Sequence, residues 1–369
     1  MTPGPLRWLL MATHVPAGGA GGGMVRYTVE VAAALHRRDD VSLSVAASAD
    51  AVPYFTDLLG DPARVHAVPT LPTVARSVLE RHTRLVERGG PHDVVHGTKH
   101  LLPRATSALR LLTVHDMVMV DRPQDFGLLK RRLLTGPYLA SVRGAHVLVC
   151  VSAATRARLL EEVPGVGGRA RVVPLAVSSD LLRARPRAVP ALAGRRFAVV
   201  VGDASLRKNL GLLVDCWDEV RARVPDAVLA VAGPPSWAAS DHGEAFERLA
   251  AAGAVLPLGR VPDEELRWCY EHAAVALCPS LLEGFGLPAV EALAFGAPLV
   301  TSTDPALVEA SGDAALHLPP DDPRAWVVAV SAALERGRPA SPPPRPVRTW
   351  DEVAAGTVAA ARTGLGLPG

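Results

Sequence analysis

Short apolar runs alternate with longer stretches of helical period from one end of this chain to the other. That alternation constrains the fold more than any other feature. Residues 6–13, 41–47, 94–97, 109–114, 145–151 and 171–174 read as strands in the first half. Residues 197–201, 228–232, 255–258, 275–278 and 299–301 read as strands in the second. Between them lie helical patterns, among them 24–37, 210–224, 244–252, 263–273 and 323–335. Ser152 stands as an N-cap for a helix through Glu162, and Thr349 as an N-cap for a last helix. Strand–helix alternation of this kind specifies α/β domains built on parallel sheets. In such sheets ligands gather at the carboxyl ends of the strands, where the strand order reverses.

At 369 residues with 49% apolar content, the chain can bury two cores. Residues 178–195 interrupt the alternation. They are rich in Pro and Arg without a clean period, and they are read as a linker between residues 1–177 and 196–345. Residues 346–369 then supply a terminal helix, and the Pro-rich stretch 338–346 a surface excursion. The net charge of +2 implies no general nucleic-acid field. The run Lys130-Arg131-Arg132 beside Leu128, Leu129, Leu133 and Leu134 is read as a solvated helix face, with membrane contact at most peripheral. No stretch reaches the roughly 20 apolar residues of a membrane span, and the apolar run at Trp8–Ala12 fits a core strand better than a signal peptide. Cys150, Cys216, Cys269 and Cys278 form no Cys-x-x-Cys pair and are expected as buried thiols of a cytoplasmic protein.

Chemistry concentrates in a few segments. Between Pro279 and Ser302, Glu283 lies in a Gly-rich turn and Glu291 on the helix that the turn opens. The turn around Gly284, Gly286 and Pro288 leaves backbone N–H groups free for an anion. A helix N-terminus carries roughly half a positive charge and several unpaired donors, so a diphosphate can dock there. Two nearby carboxylates can hold sugar hydroxyls. Gly202 follows a strand, and Arg207-Lys208-Asn209 precede a helix. Adjacent cations there oppose the helix dipole unless an anion joins them, and both side chains suit phosphate. The loop from Gly18 through Gly22 and Gly23 lacks both the dinucleotide and the P-loop patterns. His14 and His115 follow strand ends. No Asp-x-Asp and no metal-spaced His/Cys cluster is present.

The segment Glu283-Gly-Phe-Gly-Leu-Pro, then Glu291-Ala-Leu-Ala, then Gly296-Ala-Pro-Leu-Val resembles the Glu-x7-Glu signature of retaining glycosyltransferases of family 4 in the GT-B class. Gly202-Asp-Ala-Ser-Leu-Arg-Lys-Asn209 resembles the Gly-x4-Arg-Lys-Asn element of that family. Thr113-Val-His-Asp116 is similar to its Thr-Ile/Val-His-Asp element, and Gly259-Arg260-Val-Pro-Asp-Glu-Glu to the segment before its nucleotide-base pocket. Two departures stand out. Met24-Val25 separates the last glycine from Arg26, and Leu175-Ala176 replaces the usual Asn-Gly.

The resemblance implies two Rossmann-like domains facing across a cleft, with the terminal helix returning to the first. It implies transfer, with retention, from a nucleoside diphosphate sugar to an acceptor hydroxyl. No metal or other cofactor is expected. Arg207 and Lys208 would neutralise the leaving diphosphate, Glu283 would hold a donor-sugar hydroxyl, and Glu291 the ribose. Neither carboxylate is a covalent nucleophile in this scheme. His115 would approach the donor sugar. Gly22, Gly23, Gly202, Arg260, Val261, Gly284, Phe285, Gly286 and Leu287 would line the donor site. His14, Lys99 and His100 would face the acceptor. GDP-mannose is the first guess for the donor. A relative that only binds nucleotide sugars, or an epimerase or phosphorylase on the same fold, remains open.

Overall fold

A computed structural model describes residues 4–71, 75, 80–81, 90–104, 106–234, 241–338 and 347–368, leaving aside the side chains at 128–130 and 132. The basic run at 130–132 therefore falls largely outside the described side chains, and the excursion at 339–346 outside the described residues. The chain divides into two compact units. One comprises Met1–Ala176 with Arg348–Gly369, the other Val177–Val347.

The first unit is built on a parallel sheet of seven described strands in the order β3-β2-β1-β4-β5-β6-β7. These are β1 (Leu6–Ala12), β2 (Val41–Ser48), β3 (Val65–Val68), β4 (Val94–Gly97), β5 (Leu109–Val114), β6 (Val147–Cys150) and β7 (Ala170–Val172). Central β1 pairs with β2 on one side (Trp8 opposite Leu43) and β4 on the other (Trp8 opposite Val94). Trp8, Leu9 and Leu10 are all fully buried, because helices cover both faces of a parallel sheet. Flanking helices include α1 (Gly23–His36), α2 (Val52–Leu59), α3 (Leu128–Gly144) and α4 (Ala153–Glu162). The Ser152 hydroxyl caps α4 by accepting from Thr155 N at 2.9 Å.

The second unit carries six described strands in the order β10-β9-β8-β11-β12-β13, again all parallel. Its strands are β8 (Phe197–Val201), β9 (Val228–Ala232), β10 (Val255–Gly259), β11 (Val275–Cys278), β12 (Leu299–Ser302) and β13 (Ala315–Leu318). Its helices are α5 (Ser179–Arg183), α6 (Leu210–Arg223), α7 (Gly243–Ala251), α8 (Asp263–His272), α9 (Leu287–Ala294), α10 (Pro305–Ser311) and α11 (Pro323–Arg336). Trp217 of α6 and Trp326 of α11 fill the core on one face of the sheet.

Residues 178–195 correct the linker expectation. They open the second unit: α5 forms there, and Leu181, Val189 and Leu192 are buried in the core that holds Phe197 and Trp268. Sparse apolar residues set in Pro and Arg carry no period, yet these three are inserted. The last helix, α12 (Trp350–Gly364), belongs to the first unit. It begins with a capping box between Thr349 and Glu352. It packs close against its neighbours: a Cβ on Gly364 would lie 2.5 Å from Val147 Cγ2. Arg37–Asp351 and Arg362–Asp40 ion pairs at 2.6 and 3.0 Å tie it to the region of α1.

In both sheets the strand order reverses once, between β1 and β4 and between β8 and β11. The loops leaving those strands are where a ligand is expected.

Candidate functional site

In the second unit, β8 ends at Val201 and its loop runs through Gly202 to Asn209. The Asp203 carboxylate folds this loop by accepting from Ser205 N at 3.2 Å and Ser205 Oγ at 2.5 Å. Asn209 adopts a left-handed backbone with φ of 52° and donates through Nδ2 to Pro279 O (3.2 Å) and Pro320 O (3.0 Å). The amide thereby stitches the β8 loop to the β11 loop. Leu281 N adds a second stitch, donating to Arg207 O at 2.7 Å.

The two loops bring Lys208, Arg207 and Glu283 together. Lys208 Nζ donates to Glu283 Oε1 at 2.5 Å, and Arg207 Nη1 to Glu283 Oε2 at 3.5 Å. Ser280 Oγ donates to the same Oε1 at 2.7 Å. The Glu283 and Lys208 side chains are only 9% and 12% exposed, so neither charge is screened by bulk water. Burial pushes the Glu283 carboxyl up; the Lys208 and Arg207 charges and the bonds from Lys208 and Ser280 outweigh it, and the net shift is downward. Glu283 is an ionised acceptor at neutral pH. Gly202 lies alongside the Lys208 stem, where a Cβ would sit 3.6 Å from Lys208 Cγ. Gly233 supports this loop from beneath, since a Cβ there would fall 1.8 Å from Gly202 O.

Gly284, Phe285 and Gly286 continue the β11 loop into α9. Gly286 is the N-cap with φ of 90°, and Leu287 and Pro288 begin the helix. Glu291 is 2% exposed on α9 and accepts from Tyr270 OH at 3.0 Å. Asp304, at the end of β12, accepts from Glu283 N at 3.2 Å, and burial pushes its carboxyl up to about 6. Arg260 and Val261 follow β10, two places from β8 in the strand order. Arg260 is exposed and Val261 packs partly buried on the core.

In the first unit, adjacent strands β1, β4 and β5 bring His14, the segment Thr98-Lys99-His100, and His115 to one sheet edge. His115 Nε2 lies 2.9 Å from Thr98 O, and a carbonyl can only accept, so Nε2 carries the proton and Nδ1 is the acceptor nitrogen. Burial outweighs the Thr98 bond and the Asp116 charge and pulls the His115 pKa down. Tyr27 stands edge-on to His115 with ring centroids 4.8 Å apart. The Thr113 hydroxyl lies 2.8 Å from both Tyr27 OH and His96 Nε2. Burial drives His96 down to about 3. The Thr28 hydroxyl donates to Met24 O at 2.9 Å, and His14 Nε2 lies 3.2 Å from that same hydroxyl. His100 packs edge-on to Tyr138 at 5.3 Å. Gly22 is the N-cap of α1 and Gly23 its first residue, both exposed.

Two family models match the chain. The model described as "Glycosyl transferases group 1" matches residues 195–336, and that described as "Glycosyltransferase Family 4" matches residues 21–181. The chain belongs to the group 1 glycosyltransferases. O-antigen chain mannosyltransferase B of Escherichia coli is 30% identical over 251 residues, 65% of this chain and 64% of that protein. The MMP alpha-(1->4)-mannosyltransferase of Mycolicibacterium hassiacum is 30% identical over 62% of this chain and 57% of that protein. The chain thus spans less than two thirds of each of these relatives. Among solved structures, Anabaena HepE in complex with UDP-glucose superposes with a TM-score of 0.64 at 14% identity, covering 97% of this chain and 95% of that one. Sucrose-phosphate synthase from Thermosynechococcus elongatus gives 0.61 at 18% identity, covering 97% and 94%. These likenesses establish the α/β GT-B fold.

Within this group 1 glycosyltransferase, the structure joins Arg207, Lys208, Glu283 and Gly202 in one group. Glu291, buried on α9, accepts from Tyr270 OH. Sequence reasoning missed Ser280, Asp304, Tyr270, Tyr27 and Thr98. Ser280 lay inside the motif, three residues before Glu283, and Asp304 carried the Asp-Pro signature of a helix start. Nothing local marked Tyr270. Among the described residues, no group of three or more His, Cys, Asp or Glu side chains is placed to hold a metal, and no helix is long and apolar enough to cross a membrane.

Proposed function

We propose that the chain is a glycosyltransferase that moves a sugar from a nucleoside diphosphate sugar to an acceptor hydroxyl, with retention and without a metal. One observation carries this reading. Two cations, Arg207 and Lys208, converge with an ionised carboxylate at the strand-order reversal of the second unit, beside the N-terminus of α9. Breaking a glycosyl–phosphate bond builds negative charge on the leaving diphosphate. Arg207 and Lys208, with the positive end of the α9 dipole, are preorganised to stabilise that charge. Glu283, ionised and unable to donate, accepts from a hydroxyl of the donor sugar. In this reading Glu291 meets the ribose, and Gly284, Phe285, Gly286 and Leu287 approach the diphosphate and sugar. Arg260 and Val261 lie toward the base. Within the first unit, the family resemblance assigns neutral His115 to the donor sugar and His14, Lys99 and His100 to the acceptor. The acceptor hydroxyl attacks the same face that the leaving group departs, and the departing phosphate oxygen takes its proton.

The two relatives named as mannosyltransferases favour a mannosyl donor, and GDP-mannose is proposed first. HepE, crystallised with UDP-glucose, supports a nucleotide-sugar donor on this fold. The test is thermal denaturation with GDP, UDP and TDP and their common sugars, with and without chelator. A ligand at 100 times its Kd adds about 2.7 kcal/mol to folded-state stability. A chelator-insensitive rise in Tm with GDP and GDP-mannose is expected. No shift with any nucleotide at millimolar concentration would sink the reading.

A further inference from the structure

Asp304 is the N-cap of α10, and its Oδ1 accepts from Ala306 N at 3.0 Å and Leu307 N at 3.2 Å. A helix cap needs no more than that. Its second oxygen, Oδ2, reaches out of the helix to Glu283 N at 3.2 Å. The same strand end makes a second clasp: Ser302 Oγ donates to Ser280 O at 2.5 Å, and Asp304 N donates back to Ser302 Oγ at 3.3 Å. Leu307, in the first turn of α10, packs so near Gly286 that a Cβ there would lie 2.6 Å from Leu307 Cδ2. The segment Ser280–Gly286 therefore rests on the end of β12 and the start of α10.

A serine or threonine would cap α10 equally well and without a buried charge. The carboxylate here is partly buried, and among the described residues it has no ion pair. Burial pushes it up to about 6, the mark of an unfavourable place for a charge. What the carboxylate supplies beyond a neutral cap is the second acceptor, and that acceptor is used on the backbone of Glu283. We infer that Asp304 is a positioning residue: it fixes the main chain of Glu283, so that the carboxylate of Glu283 points at Lys208 and the donor sugar. The inference rests on the reading of Glu283 as a donor-sugar ligand.

Asp304→Asn separates the two duties of the side chain. An amide has one acceptor and one NH2. With its oxygen on the two α10 amides, its NH2 faces the Glu283 N–H, donor against donor. Asp304→Ala removes cap and clamp together. GDP-mannose and UDP-glucose serve as probes, with release of GDP or UDP as the readout. In Asp304→Asn, kcat should fall at least about tenfold, since small displacements of a reacting geometry are costly. KM should stay within about threefold, and Tm should hold while Asp304→Ala loses both. Hydrogen exchange of the Glu283 amide should speed up in the Asn variant. Wild-type kcat in a folded Asp304→Asn protein would overturn the inference. So would an Asn variant as unstable as the Ala variant, because its fall in kcat would then report lost stability and not a displaced Glu283. Should the wild-type protein turn over neither probe and bind neither GDP nor UDP, the transferase reading fails by itself. The exchange rate of the Glu283 amide then still decides the clamp: unchanged protection in the Asn variant refutes it, and lost protection upholds it.

Discussion

Lys208 and Glu283 each make the other's burial tolerable. The contact is 2.5 Å, both side chains are almost wholly out of water, and Arg207 at 3.5 Å adds a weaker second cation. Removing one partner of such a pair leaves a charge that burial penalises, at a cost on the order of 3 kcal/mol. Lys208→Met should therefore destabilise the second unit by about that amount at pH 7 and lower kcat about a hundredfold through lost charge stabilisation. The pH dependence follows from the direction of the Glu283 shift. Its folded pKa lies below the ordinary carboxyl value, so it stabilises the fold above that value and the contribution disappears as pH falls through the lower, folded pKa. In Lys208→Met only Arg207 and Ser280 still oppose the desolvation penalty, and the carboxylate protonates at higher pH. Urea denaturation should show a wide wild-type–variant gap at pH 7 that narrows as the variant's carboxylate protonates and closes once pH has fallen through the lowered wild-type value. A gap independent of pH would mean that lost packing of the lysine stem, not charge, dominates.

Helix α12 shows how a local signal acts on a distant partner. Thr349 Oγ1 accepts from Glu352 N at 3.3 Å, and Glu352 Oε2 accepts from Thr349 N at 2.6 Å, so the first turn is closed by its own residues. Thr349→Ala should cost about 1 kcal/mol, read as faster hydrogen exchange at the amides of residues 353–357 with the second unit unchanged. Unaltered exchange would show that docking alone holds the helix. That cap was legible in the sequence, as were the central strands, because each depends on neighbours a few residues away. The edge strands β7 and β10 were legible too, but β3 and β13 were not. β3 holds His66 between Val65 and Val68, and β13 leaves Leu316 half exposed, so neither shows the continuous apolar run of a strand covered on both faces. Leu181, Val189 and Leu192 were hidden by their Pro- and Arg-rich setting. At the candidate site, Arg207, Lys208 and Glu283 were visible because two compact motifs hold them. Tyr270 and Asp304 act through contacts across α8–α9 and β11–β12 that no spacing reveals.

At the scale of the whole molecule, the two units differ in how the chain supplies them. The second is continuous, Val177–Val347, and holds all six strands of its described sheet with the cores around Trp217 and Phe197. The first is discontinuous and takes its last helix from residues 348–369. On α12, Trp350, Val353, Ala354, Val358 and Ala361 are buried, all at 2% exposure or less. Burying a large apolar side chain contributes roughly 1.5–3 kcal/mol, and a domain's whole stability is about 5–15 kcal/mol. Withdrawing this helix uncovers apolar surface on α1, β5 and β6 and removes a share comparable to the total. A chain ended after Val347 should therefore lose the cooperative melting of the first unit and keep that of the second. A fragment of residues 177–347 should melt cooperatively by itself, at the temperature of the surviving transition. It should also bind GDP within about tenfold of the full chain, because Arg207, Lys208, Glu283 and α9 all lie inside it, and tenfold corresponds to about 1.4 kcal/mol. A fragment without near-UV circular dichroism would show that the second unit needs the first in order to pack. An unchanged first transition in the shortened chain would show that α12 is docked without being required.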